Sequence, residues 1–154
     1  MGAIVRALIQ RVRRASVTVG GEVAGSCGRG LLVLLGVGHG DDEATAEKLW
    51  NKALGLRIFD DDAGKTNLSL ADVGGGVLVV SQFTLYANCR RGRRPSFTEA
   101  APPALGLALY EHFCELAETS LGEERVGRGV FGAQMEVELV NDGPFTVWLD
   151  SEEL

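Results

Sequence analysis

Two apolar runs constrain the fold of this chain more than any other feature. "GLLVLLGV" occupies residues 30–37 and "VLVVSQFTL" residues 77–85. Runs of this length are strand-sized, and an unbroken apolar sequence reads as a strand buried inside a sheet. The segments around them add more strands and two helices. Residues 4–12 alternate loosely and predict a strand. "SVTVGGEVAG" (16–25) predicts a hairpin, because Gly20 and Gly21 both tolerate the positive φ of a type I′ turn. Asp41 or Asp42 offers an N-cap, and Ala46, Leu49, Trp50, Ala53 and Leu54 follow at helical spacing. "LRIF" (56–59) predicts a short strand before an Asp-rich loop at residues 60–64.

Pro102 and Pro103 open a second helix, with Leu105, Leu109, Phe113 and Leu116 as its apolar stripe. "QMEVELV" (134–140) and "FTVWL" (145–149) predict two closing strands. The expectation is one α+β domain over residues 1–154, with a mixed or antiparallel sheet and two packed helices.

Between the last two strands stand Asn141, Asp142, Gly143 and Pro144. Proline cannot donate to a sheet ladder, so Gly-Pro is either a turn or a deliberate projection.

Composition excludes several function classes. The net charge is −6, which disfavours a protein that grips nucleic acid mainly through phosphates and leaves room only for a local basic patch. The longest apolar run, Leu31 to Leu35, falls far short of the ~20 residues of a membrane helix. Arg6, Arg11, Arg13 and Arg14 interrupt any signal-peptide pattern, so the cytoplasm is the expected location. Cys27, Cys89 and Cys114 are scattered, and His39 and His112 lack metal-ligand spacing. Neither a disulfide framework nor a metal site is expected, and no cofactor.

Three stretches are candidates for chemistry. "LLGVGHGDD" (34–42) lies between a strand and a helix like a dinucleotide loop. However, Asp41 sits where the third glycine belongs and would repel a pyrophosphate, so a capped turn is the better reading. "NCRRGRRPSF" (88–97) gathers Arg90, Arg91, Arg93 and Arg94 in an acidic chain. It is either a solvated loop or a phosphate contact, since the guanidinium fork matches phosphate oxygens. "SQFTL" (81–85) is polar where the strand should stay apolar. Its backbone N–H groups can stabilise an oxyanion; Thr84 can be a nucleophile only with a base beside it, and none is adjacent. The alternative is that Ser81 and Thr84 are simply hydrogen-bonded strand residues.

Taken together, "SQFTL", "RRPSF" and "NDGPFT" resemble the D-aminoacyl-tRNA deacylases. "ALIQRVRRASVTVGGEVAG" and "GLLVLLGV" match that family too, so the resemblance runs from about Val5 to Leu149. It implies a homodimer without a metal, in which the sheet is barrel-like in the dimer. Such an enzyme hydrolyses the ester joining a D-amino acid, or glycine, to the 3′ end of tRNA. It implies that Ser81, Gln82, Phe83 and Thr84 form the pocket floor, with N–H groups around Phe83 and Thr84 facing the developing oxyanion and Gln82 orienting substrate. It also implies a cis Gly143-Pro144 pair that crosses into the partner's pocket and excludes L side chains, braced by Arg11. Arg90, Arg91, Arg93, Arg94, Pro95, Ser96 and Phe97 become the tRNA contact, with no role for DNA or a membrane. The catalytic group is either Thr84 or a water assisted by the 2′-OH of the terminal adenosine; the missing base favours the water.

The chain departs from the family at Thr66, where methionine is expected, at Phe145, where valine is commoner, and in residues 1–4, which precede the family's usual start. Two other classes compete: an esterase or peptidase using Thr84, Cys89 or Cys114 with His39 or His112, and a nucleic-acid-binding module resting on the arginines.

Overall fold

A computed structural model describes residues 5–154; the departure at residues 1–4 lies outside them. The chain begins with β1 (Val5–Val19), turns at Gly20 and Gly21 with φ of +58° and +84°, and returns as β2 (Glu22–Cys27). The buried strand β3 (Gly30–Val37) pairs antiparallel with the first half of β1. Helix α1 (Glu43–Gly55) follows, capped by Asp42, whose side chain accepts from the Thr45 N–H.

Next come β4 (Phe59–Asp60), β5 (Thr66–Leu68) and a one-turn helix, α2 (Leu70–Val73). The second buried strand, β6 (Gly76–Ser81), runs parallel to β3. Helix α3 (Pro103–Leu121) leads to β7 (Val126–Arg128), parallel to β6, and the chain closes with β8 (Glu136–Asp150).

The sheet order is β2-β1-β3-β6-β7, and β8 lies along the other edge of β1. The sheet curls until β2 meets β7. A Cβ on Gly25 would stand 2.3 Å from the Arg128 carbonyl oxygen, and one on Gly127 2.4 Å from that of Ser26. Only glycine permits backbones this close. The expected α+β architecture is therefore present, its barrel-like sheet already formed within one chain, with α2 as a third helix among the described residues that the sequence reading missed.

Alternation within the buried strands divides the core. Leu31, Val33, Leu35, Val77 and Val79 face the helices and pack with Trp50 and Phe113. Those two rings meet edge to face at 5.5 Å, and the Trp50 indole donates to Ser120 Oγ at 2.9 Å. Leu32, Leu78 and Val80 face the other way, against Val12 and Val17. Each such side chain contributes about 1.5–3 kcal/mol relative to exposure.

Three sequence expectations need correction. "LRIF" is not a strand: residues 56–58 are irregular, with the Ile58 carbonyl taken by Arg11 Nη1 rather than by a sheet partner, and β4 begins only at Phe59. "VLVVSQFTL" is a strand only to Ser81; residues Phe83–Tyr86 form a 3₁₀ turn. "QMEVELV" and "FTVWL" belong to one strand, β8, which accommodates the Gly-Pro as a bulge. Between the Val12–Asn141 and Gln10–Thr146 pairs, β1 has only Arg11, whereas β8 has residues 142–145. Pro144 therefore stands outside the ladder and its missing N–H breaks no sheet hydrogen bond.

Asp41, at the turn from β3 into α1, is buried. Its Oδ2 accepts from the Gly38 N–H at 2.5 Å, and its Oδ1 has no hydrogen-bond partner among the described residues. Burial, and secondarily the carboxylates of Asp42 and Asp150, raise its pKa from 3.8 to about 6, against the opposing Gly38 hydrogen bond. The folded state thus holds this proton where the unfolded chain has released it, and stability falls as pH rises from about 4 to 6. Asp41→Asn is expected to remove that slope and to stabilise the protein above pH 6 by about 1–3 kcal/mol. Urea unfolding at pH 4, 6 and 8 tests it; a mutant with the wild-type slope would place the pH dependence elsewhere.

Candidate active site

The polar end of β6 opens onto a cavity of about 710 Å³, within the range of small-molecule sites. Val80, Ser81, Gln82 and Phe83 form one wall, Val37, Phe97, Ala100 and Ala101 another. Pro103 and Gly106 of α3, the segment from Phe131 to Met135, and Val137 of β8 complete it. Packing holds the walls. Ala101 N–H donates to the Val37 carbonyl, and Gly38 bridges to Ala100. The Tyr110 hydroxyl donates to the Val79 carbonyl at 2.8 Å and lies 3.3 Å from that of Gly129, which ties α3, β6 and the 129–135 segment together. The Val130 N–H is directed at Met135 Sδ, 3.4 Å away. At the mouth, Phe83 and Phe97 meet edge to face at 5.1 Å.

Among the described residues the lining contains no ionisable side chain. Its polar side chains are the Ser81 hydroxyl and the amides of Gln82 and Gln134, none of which is a general base near neutral pH. Phe83 and Thr84 open the 3₁₀ turn, so their N–H groups have no acceptor within it, and no side chain caps it. Thr84 is exposed and lies beside the lining; its Oγ1 accepts from Gln82 Nε2 at 2.5 Å. An amide N–H can give a hydrogen bond to that hydroxyl but cannot take its proton.

The other named residues fall into two places. Arg90, Arg91, Arg93, Arg94, Pro95 and Ser96 form an exposed loop, closed by paired hydrogen bonds between Asn88 and Ser96, and Phe97 carries it into the cavity wall. Gly143 and Pro144 are exposed, joined by a cis peptide bond, and do not line the cavity of their own chain. The buried Arg11 lies beneath them. Its Nε donates to the Asp142 carbonyl at 2.9 Å and its Nη1 to the Ile58 carbonyl at 2.6 Å, while Asp60 and Asp142 carboxylates lie 3.6 Å away. Thr66 is exposed at the start of β5, away from the cavity lining.

Neither histidine meets a nucleophile. His39 donates from Nε2 to the Thr98 carbonyl at 2.8 Å, and His112 faces Glu47 at 3.5 Å without the alignment of a hydrogen bond. Burial pushes the Cys114 thiol up to about 11, the opposite of an activated thiolate. Among the described residues no cluster of His, Cys, Asp and Glu could hold a metal ion.

Sequence reasoning missed the far wall from Phe131 to Met135 and the contributions of Val37, Ala100 and Ala101. The available signal was one phenylalanine inside the glycine-rich stretch "VGRGVFGAQM" (126–135), set between two strands.

A family described as D-Tyr-tRNA(Tyr) deacylase matches residues 8–150. The chain belongs to this family. The deacylase fold class and the enzyme class, a hydrolase of ester bonds, follow from that membership. Among similar proteins, the D-aminoacyl-tRNA deacylase of Thermomicrobium roseum is 61% identical over 149 residues, covering 97% of this chain and 96% of that one. The D-aminoacyl-tRNA deacylase of Thermotoga petrophila is 57% identical over 150 residues, covering 97% and 99%.

Two solved structures share the deacylase fold. A c-Myc DNA unwinding element binding protein superposes with a TM-score of 0.88 at 41% identity, covering 94% of this chain and 97% of that one. A probable eukaryotic D-amino acid tRNA deacylase does so with a TM-score of 0.85 at 20% identity, covering 96% and 99%; at that identity the likeness concerns the fold alone. Among the described residues no helix is long and apolar enough to cross a membrane.

Proposed function

We propose that this deacylase hydrolyses the ester of D-aminoacyl-tRNA, and of glycine mischarged on alanine tRNA, releasing the free amino acid and tRNA as a cytoplasmic step of chiral proofreading. The observation that carries the proposal is an uncharged cavity flanked by a 3₁₀ turn whose first N–H groups have no acceptor within the turn. Ester hydrolysis develops negative charge on the carbonyl oxygen, and preorganised N–H donors stabilise it without a charged side chain. Phe83 and Thr84 N–H groups meet that oxygen in this reading, Ser81 and Gln82 orient the substrate, and the 2′-OH of the terminal adenosine assists the attacking water. The exposed arginine loop holds the tRNA backbone. The test is incubation with D-Tyr-tRNA and L-Tyr-tRNA while following loss of the ester; equal rates on both enantiomers would overturn the chiral role.

The homodimer belongs to the same proposal. β8 leaves Val137 37% and Trp148 45% exposed, and Val137 also borders the cavity, so a second copy seated on β8 would adjoin the site. Gly143 and Pro144, exposed and off their own cavity, are free to enter the partner's. There they exclude L side chains with main chain, which does not relax as side chains do. The name of one structural relative includes DNA binding. For this chain the net charge of −6 and the neutral cavity favour the enzymatic reading.

Thr84→Ala is expected to retain most of the activity, because it removes only the hydroxyl that accepts from Gln82 and keeps the backbone donor. Losing an oxyanion donor typically costs about 2.7–4 kcal/mol, and loss of a nucleophile should be near total. A folded Thr84→Ala enzyme with only background hydrolysis would restore Thr84 as the nucleophile.

A further inference from the structure

Arg6 of β1 stands opposite Asp150 of β8 on one side and Gly36 of β3 on the other. Its Nε donates to Asp150 Oδ2 at 3.4 Å, and its Nη1 donates to the Leu85 carbonyl at 3.2 Å. The guanidinium lies 4.6 Å from the centre of the Tyr86 ring. Leu85 and Tyr86 are the second half of the 3₁₀ turn that Phe83 and Thr84 begin. In a continuing 3₁₀ helix the Leu85 carbonyl would accept from the N–H of residue 88. Here the Asn88 N–H turns away to the Ser96 carbonyl at 2.7 Å, so Arg6 supplies the donor at this terminus. The front of the turn is tied to the sheet separately, through the Gln82 N–H and the Leu35 carbonyl at 2.8 Å.

We propose that Arg6 is a positioning residue for deacylation: by holding Leu85 and Tyr86 against the sheet, it fixes the direction of the Phe83 and Thr84 N–H groups at the cavity. This inference rests on the proposed function, in which those groups meet the oxyanion. Arginine suits the role because one planar fork reaches a carboxylate and a carbonyl at once while its face covers a ring. Lysine is a point charge and meets one of these partners at a time. The side chains of Arg6 and Asp150 are 24% and 11% exposed, so the pair is largely withdrawn from water and its geometry is held by the fold.

The test compares Arg6→Lys and Asp150→Asn in the full-length protein, measuring kcat and KM for D-Tyr-tRNA alongside thermal stability. Asp150→Asn weakens the ion pair but leaves the guanidinium on Leu85. A turn displaced by a fraction of an ångström should lower kcat about tenfold. The expected result is that loss in Arg6→Lys with KM within about twofold, because alignment acts in the transition state. Asp150→Asn should keep kcat within about threefold even where its melting temperature falls as far. Wild-type kcat in Arg6→Lys, or equal kcat losses in the two variants that track stability, would overturn the positioning role. Ala101→Leu, which fills the cavity, separates the two proposals. If it abolishes hydrolysis while Arg6→Lys is fully active, only the role of Arg6 falls. If it leaves hydrolysis intact, the site itself is misplaced and the role of Arg6 falls with it.

Discussion

A D-aminoacyl-tRNA ending in 2′-deoxyadenosine is expected to be hydrolysed at least about 10²-fold more slowly than its ribose counterpart in single-turnover assays at saturating enzyme. Water attacking an ester needs a group to take its proton, and positioned proton transfer is worth about 10²–10⁴-fold. Among the described residues no ionisable side chain lines the cavity, and its Ser81, Gln82 and Gln134 side chains are not bases near neutral pH. Thr84 offers no way round this, since its hydroxyl is engaged by an amide that donates to it. The vicinal 2′-OH is no stronger a base than these, but it adjoins the scissile bond and comes with every substrate. In the proposed step it takes the proton of the attacking water while passing its own to the departing 3′-oxygen, so the proton ends on the leaving group. Deletion of one oxygen from the RNA is thus expected to do what deletion of the Thr84 hydroxyl does not. Equal rates for the two ends at matched binding would mean that the protein supplies the base from a residue outside the lining described above.

The parts of the fold legible in the sequence were those governed by local patterning. The runs 30–37 and 77–80 are buried strands because apolar residues occupy both faces, and α1 and α3 carry periodic stripes behind recognisable starts. The hairpin followed from Gly20-Gly21. What was lost depended on partners distant in sequence. β6 ends at Ser81 because, after its last rung from the Gln82 N–H to the Leu35 carbonyl, the chain coils into a 3₁₀ turn; nothing in "SQFTL" announces that. β8 continues through Gly143-Pro144 because β1 runs along it on both sides of the bulge. The candidate cavity was legible in part. Polar residues after an apolar strand marked one cavity wall, whereas the wall from Phe131 to Met135 is held through Tyr110, which bonds the preceding Gly129 carbonyl and packs beside the Phe131 ring, contacts no local motif encodes.

Gly143→Ala is expected to lower kcat/KM for D-Tyr-tRNA by about 10²-fold while leaving a folded protein. Gly143 adopts φ +146°, a conformation L residues rarely take. A Cβ there would stand 2.8 Å from the Phe145 nitrogen, 3.1 Å from the Phe145 Cβ and 3.4 Å from Arg11 Nη2. The first of these contacts is with backbone, so the alanine methyl cannot be relieved by a rotamer change and the bulge itself must move. Its position is fixed on both flanks: Asn141 Oδ1 accepts from the Phe145 N–H at 2.8 Å, and Arg11 holds the Asp142 carbonyl. The remainder of β8 is paired along β1 and has no reason to unfold, which confines the damage to the projecting segment. A displacement near 1 Å at a substrate-positioning element can cost about 10²-fold. Because the proposed role is exclusion by shape, the ratio of D to L activity should fall with the rate. Kinetics on both enantiomers, with sedimentation to follow assembly, check this. Wild-type rates and an unchanged chiral ratio in Gly143→Ala would reduce the bulge to a structural turn and remove it from the site.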